Sequence, residues 1–414
     1  MWATIRASWS LFLGMIFLMV SHGLLATLLT LRAGELGFSE SVIGLMQSAY
    51  PVGSLLGCLI APKLIMRVGH IRIFAAFASI ASAAALIHLV TDDPWSWSAM
   101  RLLAGFCFSG LYIVAESWLN GSANNKTRAS LLSVYFVIQS VGLMAGQFLL
   151  NLSSPGGIFL FIVASILISF SLVPMLISTS ATPPYEAPGR ISFIELFHLS
   201  PMALSGSFLN GIAQTSLYVV LALYGHAIGL STGEIGSLVG VMIFGGVVFQ
   251  FPLAKLSDRI DRRLVMVGAP GLAIPMCFFL ASMENPADNQ FLLYAMTALL
   301  GGLTLPIYSI CMAHMHDQLK PGQVVAASGT LFLIMATGMI LGPTLGGVAI
   351  AQFGPHGFFY LLAATSALTV TTALFRFWSG QSRMYSYKTA VALTANLSPE
   401  VTNLYEEAAA QENN

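Results

Sequence analysis

The sequence predicts an all-α membrane protein: twelve transmembrane helices in two six-helix, pseudo-symmetric bundles. Three observations lead there: the composition, the spacing of the apolar runs and an internal repeat. The chain has 414 residues, of which 56% are apolar and 8% charged. Soluble domains average about 25% charged residues, and so few charges cannot cover a water-exposed surface of this size. The formal net charge is zero, so nothing in the balance attracts nucleic acid.

A bilayer core takes about 20 apolar residues per helix. Twelve runs meet that length, at roughly 9–31, 41–62, 73–91, 96–119, 130–151, 157–178, 201–224, 234–254, 264–283, 291–313, 325–351 and 357–378. The first run is too long for a signal-peptide core and no small-residue cleavage site follows, so it is read as a retained helix. It carries His22 at its middle. The fourth opens on Arg101 in "RLLAGFCFSG" and ends on Glu116 in "AESWLN". The seventh carries Asn210, Gln214 and Tyr218, the fifth Gln139 and the tenth Tyr308. Residues 179–200, rich in proline, form a linker whose "ISFIELF" reads as a short amphipathic piece along the membrane surface. The expected units are therefore a bundle over 1–178, a linker over 179–200, a second bundle over 201–378 and a polar tail over 379–414, in which "LSPEVTNLYEEAAAQ" reads as a short helix.

An even number of spans puts both termini on one side. Fifteen of the 17 basic residues fall in one set of loops, Arg32 and Arg101 being the exceptions. The opposite loops carry Glu35, Glu40, Asp92, Asp93, Glu284 and Asp288 and no lysine. The positive-inside rule makes the basic side cytoplasmic. The expected location is the cytoplasmic (inner) membrane, multi-pass, with both termini inside.

The two halves repeat. An offset of 192 aligns Ser39, Ile43, Gly44, Gly53, Lys63, Leu64 and Arg67 with Ser231, Ile235, Gly236, Gly245, Lys255, Leu256 and Arg259. An offset of 196 aligns "GLMAGQFLL" (142–150) with "GMILGPTLG" (338–346), and Tyr112 with Tyr308. Two parallel six-span repeats are a transporter architecture, with the solute site near mid-membrane between them.

Three motifs carry a resemblance to a known family. "AKLSDRIDRR" (254–263) resembles the cytoplasmic loop signature G-x-L-S-D-R-x-G-R-R of the major facilitator superfamily, with Ala254 and Asp261 in place of glycines. "RLLAGFCFS" (101–109) is similar to its fourth-helix pattern R-x-x-x-G-x-x-x-A, and "GMILGPTLGG" (338–347) to its G-x-x-x-G-P-x-x-G-G motif. "AESWLN" resembles the YcaD-like branch. The likeness spans about residues 5–378. In the first half the loop aspartate is Met66 and the arginine pair is His70-Ile71, and Gln147 stands where the antiporter motif has proline.

The resemblance implies a cytoplasmic ion-pair latch built from Asp258, Arg259, Arg262 and Asp317, with Arg67 and Arg72 in the other half and Glu116 as a substitute for the acid lost at Met66. Arg101 and Glu116 lie fifteen residues apart, about 22 Å along a helix and about 60° around it. Both can face one cleft, as gate or as coupling residues. The repeat mates His22 and Gln214 sit on spans 1 and 7, which line the central pathway in this family. They are candidates to hold a solute or a proton, against an ordinary interhelical hydrogen bond. Tyr112, Gln139, Asn210, Tyr218 and Tyr308 complete the candidate cavity. His314 and His316 in "HMHD" do not share a helical face, so no metal site is read there. The four cysteines are read as small buried hydrophobes.

No nucleotide, metalloprotease or esterase motif is present, so an enzyme and a cofactor are not expected. The expectation is a monomeric secondary transporter of a small organic solute, coupled to protons and working by alternating access in a lipid bilayer. Broad-specificity efflux and a non-transporting sensor on the same fold are the alternatives.

Overall fold

The computed structural model describes residues 8–122, 128–177, 192–319 and 323–378. The expected tail helix, most of the linker and the loop residues Arg6, Lys126, Arg190, Lys320, Arg383 and Lys388 lie outside the described residues.

Hydrocarbon offers a backbone no hydrogen-bond partner, so each apolar run closes its own bonds as a helix. Twelve result: α1 (Trp9–Glu35), α2 (Glu40–Val68), α3 (His70–Ile87), α4 (Pro94–Gly121), α5 (Leu131–Leu152), α6 (Phe159–Ile177), α7 (Pro201–Ala227), α8 (Thr232–Arg259), α9 (Arg262–Ala281), α10 (Gln290–His316), α11 (Ala326–Phe353) and α12 (Gly357–Phe375). Each expected run is one of them. Several overrun the apolar stretch where charge begins, α2 through Arg67 and α8 through Arg259. Hydrophobicity marks only the lipid-facing part, and long basic side chains carry the helix into the interface.

Local chemistry sets the ends. Gly37 and Gly229, repeat mates at the offset of 192, follow α1 and α7 with φ of 78° and 82°. In each, the next residue's N–H reaches back to close the helix, Phe38 to the Ala33 carbonyl and Leu230 to that of Gly225, both at 3.0 Å. Only glycine enters this left-handed region without steric cost. Ser231 and Glu234 form a reciprocal capping box on α8. Asp93 starts α4 by accepting from the Ser96 N–H at 2.7 Å.

The repeat is also a packing rule. Gly53 lies on the Leu102 carbonyl and Gly105 on that of Tyr50, which lets the backbones of α2 and α4 touch. Their counterparts Gly245 and Gly301 lie on the carbonyls of Ala298 and Met242, where α8 meets α10. Small residues permit this approach, the main source of helix affinity in lipid. The glycine of "RLLAGFCFS" thus has a structural job. So do those of "GMILGPTLGG": Gly338 and Gly342 rest on the Phe208 and Ile212 carbonyls of α7, and Gly347 on the Glu40 carbonyl of α2.

The two bundles meet at the acidic ends of the helices. There α2 packs on α11, where Ser48 Oγ lies 2.8 Å from Thr344 Oγ1 and accepts from the Thr344 N–H at 3.2 Å. On the other flank Gly236 of α8 rests on the Gln147 carbonyl of α5. Near the same level Gly34 of α1 faces the His226 ring of α7. Among the described residues the ion pairs at the basic ends lie inside one bundle, as described below.

Helix α7 widens into a π turn at Ser216–Val220. Thr215 and Ser216 there donate to the Met339 and Gly342 carbonyls of α11, each at 3.1 Å. The linker's "FIELFHL" is a helix, Phe193–Leu199, capped by Ser192. It buries Leu196 and exposes Phe193, Ile194 and Phe197.

Replacing Gly105 by valine drives a branched side chain into the Tyr50 backbone. Overpacking of this kind costs about 1–3 kcal/mol, so G105V should lower the melting temperature of the purified protein. An unchanged melting curve would show that α2 and α4 do not need this contact.

Candidate functional site

The site grows from α4, the helix that carries both interior charges. Tyr112 of α4 and Tyr50 of α2 point their hydroxyls at one atom, Nδ1 of His22 on α1, at 3.4 and 3.1 Å. Phe108 closes on the same imidazole edge-on, with ring centroids 4.9 Å apart. The Arg101 guanidinium lies over the Tyr50 ring, 4.5 Å from its centroid. Tyr50 therefore meets a cation with its face and an imidazole with its hydroxyl.

Glu116, just over four turns beyond Arg101 on α4, is half-buried. Its polar neighbour is Tyr135 of α5, a fully buried hydroxyl that also neighbours Gln139 and forms no hydrogen bond of good geometry. The carboxylate's field also reaches Tyr112 and, across the bundle boundary, Tyr308 of α10. A file of polar groups thus runs Arg101, Tyr50, His22, Tyr112, Glu116, Tyr135. Arg101 begins that file, and Glu116 lies towards its far end, next to Tyr135. Among the described residues, however, neither pairs with the other, and Glu116 does not pair with Arg67 or Arg72. The substitute-latch expectation for Glu116 is therefore not met in this conformation, because its carboxylate turns to α5 rather than to the loop.

Gln214 and Tyr218 are half-buried on α7, Tyr218 within the π turn. Among the described residues no hydrogen bond joins Gln214 to His22. Asn210 is a correction. It is turned into its own bundle, donating to the Thr304 carbonyl at 2.8 Å and lying beside Thr365, Ser366 and Thr369. An amide buried among helices seeks a carbonyl, and that bond draws Asn210 away from the cleft.

At the basic ends Arg262 donates to Asp317 at 2.6 Å, pairs with Asp258 at 3.0 Å and reaches Ser257 Oγ at 3.1 Å. This ties α8, α9 and α10 together within one bundle. Arg67, Arg72 and Arg259 are exposed, and no carboxylate among the described residues pairs with them. His314 and His316 face different neighbours, Gln318 at 3.1 Å and Ser328 at 2.8 Å. Three cysteines, Cys107, Cys277 and Cys311, are buried, and Cys58 is half-buried.

Tyr50, Tyr135 and His88 were not singled out from the sequence. Tyr135 precedes Gln139 by one helical turn, a spacing that could have flagged it. Nothing in the sequence marks Tyr50 or His88, whose role comes from neighbouring helices.

A family model described as Major Facilitator Superfamily matches residues 11–204 and 203–399, so both halves and nearly the whole chain are covered. The chain belongs to the major facilitator superfamily. It is 28% identical over 357 residues to an uncharacterized MFS-type transporter of Enterobacter sp. (strain 638), covering 85% of this chain and 91% of that one. It is equally 28% identical, over 356 residues, to the uncharacterized MFS-type transporter YcaD of Escherichia fergusonii, with coverage of 85% and 91%. This places the chain in the YcaD-like branch, among transporters and not enzymes. The fold matches the nucleoside transporter NupG with a TM-score of 0.73 at 13% identity, over 92% of this chain and 99% of that one. It also matches a D-xylose-proton symporter with a TM-score of 0.69 at 15% identity, over 93% and 97%. The protein is thus a multi-pass membrane transporter of the superfamily, with a small solute as its cargo.

Gln147, the departure from the superfamily's antiporter pattern, has a clear physical role. Its amide donates to the Gly23 carbonyl and accepts from Thr27, both at 2.8 Å, joining α5 to α1. Q147L should leave the Thr27 hydroxyl without its acceptor and strip the Gly23 carbonyl of its interhelical bond in a buried seam, at about 1–3 kcal/mol for a lost buried bond. Thermal unfolding in detergent checks this, and a melting point equal to the parent's would deny the bond any weight.

Proposed function

We propose that the protein is a proton-coupled secondary transporter of a small organic solute, working by alternating access. The observation that carries this reading is the place of Glu116: a half-buried carboxylate within a membrane-spanning helix, beside the Tyr135 hydroxyl of α5. An ionisable group at such depth is costly and persists where it serves transport. The solute would lie in the cleft between the bundles, against His22, Tyr112, Gln139, Gln214, Tyr218 and Tyr308. Tyrosine and amide groups with few charges suit a neutral, zwitterionic or singly charged molecule. The D-xylose-proton symporter is named as coupling a neutral solute to protons, and the same pairing is proposed here, with the solute left to experiment.

With the basic loops in the cytoplasm of a cell whose inner membrane holds the protein, the acidic ends face outward. The packing of α2 on α11 and α5 on α8 then closes the outer side, and the conformer is inward-facing. In the outward-facing conformer the exposed Arg67, Arg72 and Arg259 would meet carboxylates across the bundle boundary. Such exposed pairs are weak enough to break in each cycle. The working unit is a monomer, with bundles over 1–178 and 201–378 and the termini in the cytoplasm.

The test begins with a thermal-shift screen of nutrients and drugs against the purified protein. A ligand at a hundred times its dissociation constant should add about 2.7 kcal/mol. The hit is then followed into proteoliposomes loaded with a pH-sensitive dye. Solute entry accompanied by acidification supports the reading. Binding without flux would replace it with the sensor reading, and flux without a proton signal would remove the coupling. E116Q should reduce flux at least about tenfold and flatten its dependence between about pH 5 and about pH 8. Parental flux throughout that range would take Glu116 out of the mechanism. R259A should shift the population further towards the inward-facing conformer, read as cysteine accessibility on the two faces; unchanged accessibility would sink the latch.

A further inference from the structure

Within the N-terminal bundle, between α1, α2, α3 and α4, lies a cavity with an apolar wall of leucine, alanine and phenylalanine. It is broken by four polar side chains, His22, Tyr50, His88 and Arg101. Arg101 is 6% exposed and His88 4%. All four can donate hydrogen bonds, and no carboxylate lines the cavity.

Two buried atoms there lack partners: Nε of Arg101 and Nε2 of His88. Arginine stays protonated, and a buried guanidinium ordinarily sits against an anion. Among the described residues no acid pairs with Arg101, and the Tyr50 ring lies against its guanidinium. His88 adds a second constraint. Its Nδ1 lies 2.8 Å from the Ala84 carbonyl, which can only accept, so Nδ1 carries a proton. Nε2 is therefore the nitrogen that titrates. It offers a lone pair when His88 is neutral and an N–H when His88 is charged.

We propose that this cavity binds one monovalent anion of halide size together with one proton, the anion held between Arg101 Nε–H and His88 Nε2–H. The charge balances. The anion brings one negative charge and the proton, taken up at Nε2 from solvent, one positive charge, so the pair enters without changing the net charge of the cavity. Neither step is favourable alone. An anion beside neutral His88 would face a lone pair, and a second cation beside Arg101 would face like charge. The other groups around His88 do not supply the missing charge. His22 and Tyr50 share the cavity, and Trp97 lies edge-on to the His88 ring at 5.1 Å. Asp93 caps α4, Asp92 is exposed, and Arg32 pairs with Glu35 at 3.4 Å. Helix α6 carries no titratable side chain.

The readout is binding, not flux, so it stands or falls apart from the proposed transport cycle. Full-length protein is melted in sodium chloride, sodium bromide and sodium gluconate at matched ionic strength, at about pH 5.5 and about pH 7.5. Chloride and bromide should raise the melting temperature over gluconate by several degrees, saturably, and more at the lower pH. R101Q should abolish the gain, and H88Q should remove its dependence on pH. Should either variant not fold, bromide quenching decides the matter: the parent should show a saturable component that W97F lacks. Equal melting in halide and gluconate at both pH values, with no saturable quenching of Trp97, would overturn the proposal and leave a water bridging Arg101 and His88.

Discussion

Inside a bilayer, a polar group has only the protein to bond with, and most of the side-chain geometry in this molecule follows from that. Gln147 joins α5 to α1, Gln47 donates to Thr30 at 2.8 Å to join α2 to α1, and Ser82 meets Ser165 at 2.7 Å where α3 passes α6. Each bond satisfies a group that lipid would leave bare and fixes the rotation of the helix that carries it. The groups left without partners among the described residues then become informative. Tyr135 and Tyr308 hydroxyls, Arg101 Nε and His88 Nε2 are such groups. They flank Glu116 or line the Arg101 cavity, the two places where a guest or a proton could complete them.

The glycine seams explain how so apolar a molecule can be rigid within each half and still hinge between halves. Contacts of backbone on backbone, as at Gly53 and Gly105, lock α2 to α4, and Gly245 and Gly301 lock α8 to α10. The seam between bundles uses the same device at fewer points, at Gly44, Gly236 and Gly347, with the Ser48–Thr344 pair as its polar rivet. A short seam with exchangeable hydroxyl bonds can part without exposing charge.

The architecture was legible because bilayer thickness, loop charge and the repeat each constrain it independently. All twelve runs are helices, and the repeat extends to matched chain reversals at Gly37 and Gly229. The site was legible only in part. Helical geometry set Arg101 and Glu116 about 22 Å apart on one side of α4. It could not name Tyr50 or Tyr135 as their companions, because those lie on other helices, and packing chooses neighbours across helices. Asn210 was misplaced for a related reason. At four-residue spacing Asn210, Gln214 and Tyr218 read as one polar stripe on α7, but the bond to the Thr304 carbonyl of α10 turns the first of them inward.

The halves share a backbone plan but divide the chemistry. The N-terminal bundle has lost the loop acid, at Met66, yet holds Glu116, Arg101 and His22 in its interior. The C-terminal bundle keeps Asp258, Arg262 and Asp317 at its basic end. A symmetric pair of latches would hold both halves equally and give neither a distinct part in the cycle. With the basic-end ion pairs of the described residues concentrated in one half, that bundle is braced as a unit by Arg262. The other holds Arg101 and Glu116 singly in its interior, where gain or loss of one proton changes the local electrostatics most. On the coupling proposed above, a protonation event at Glu116 would act on the half least held by ion pairs, and the braced half would supply the surface against which it moves.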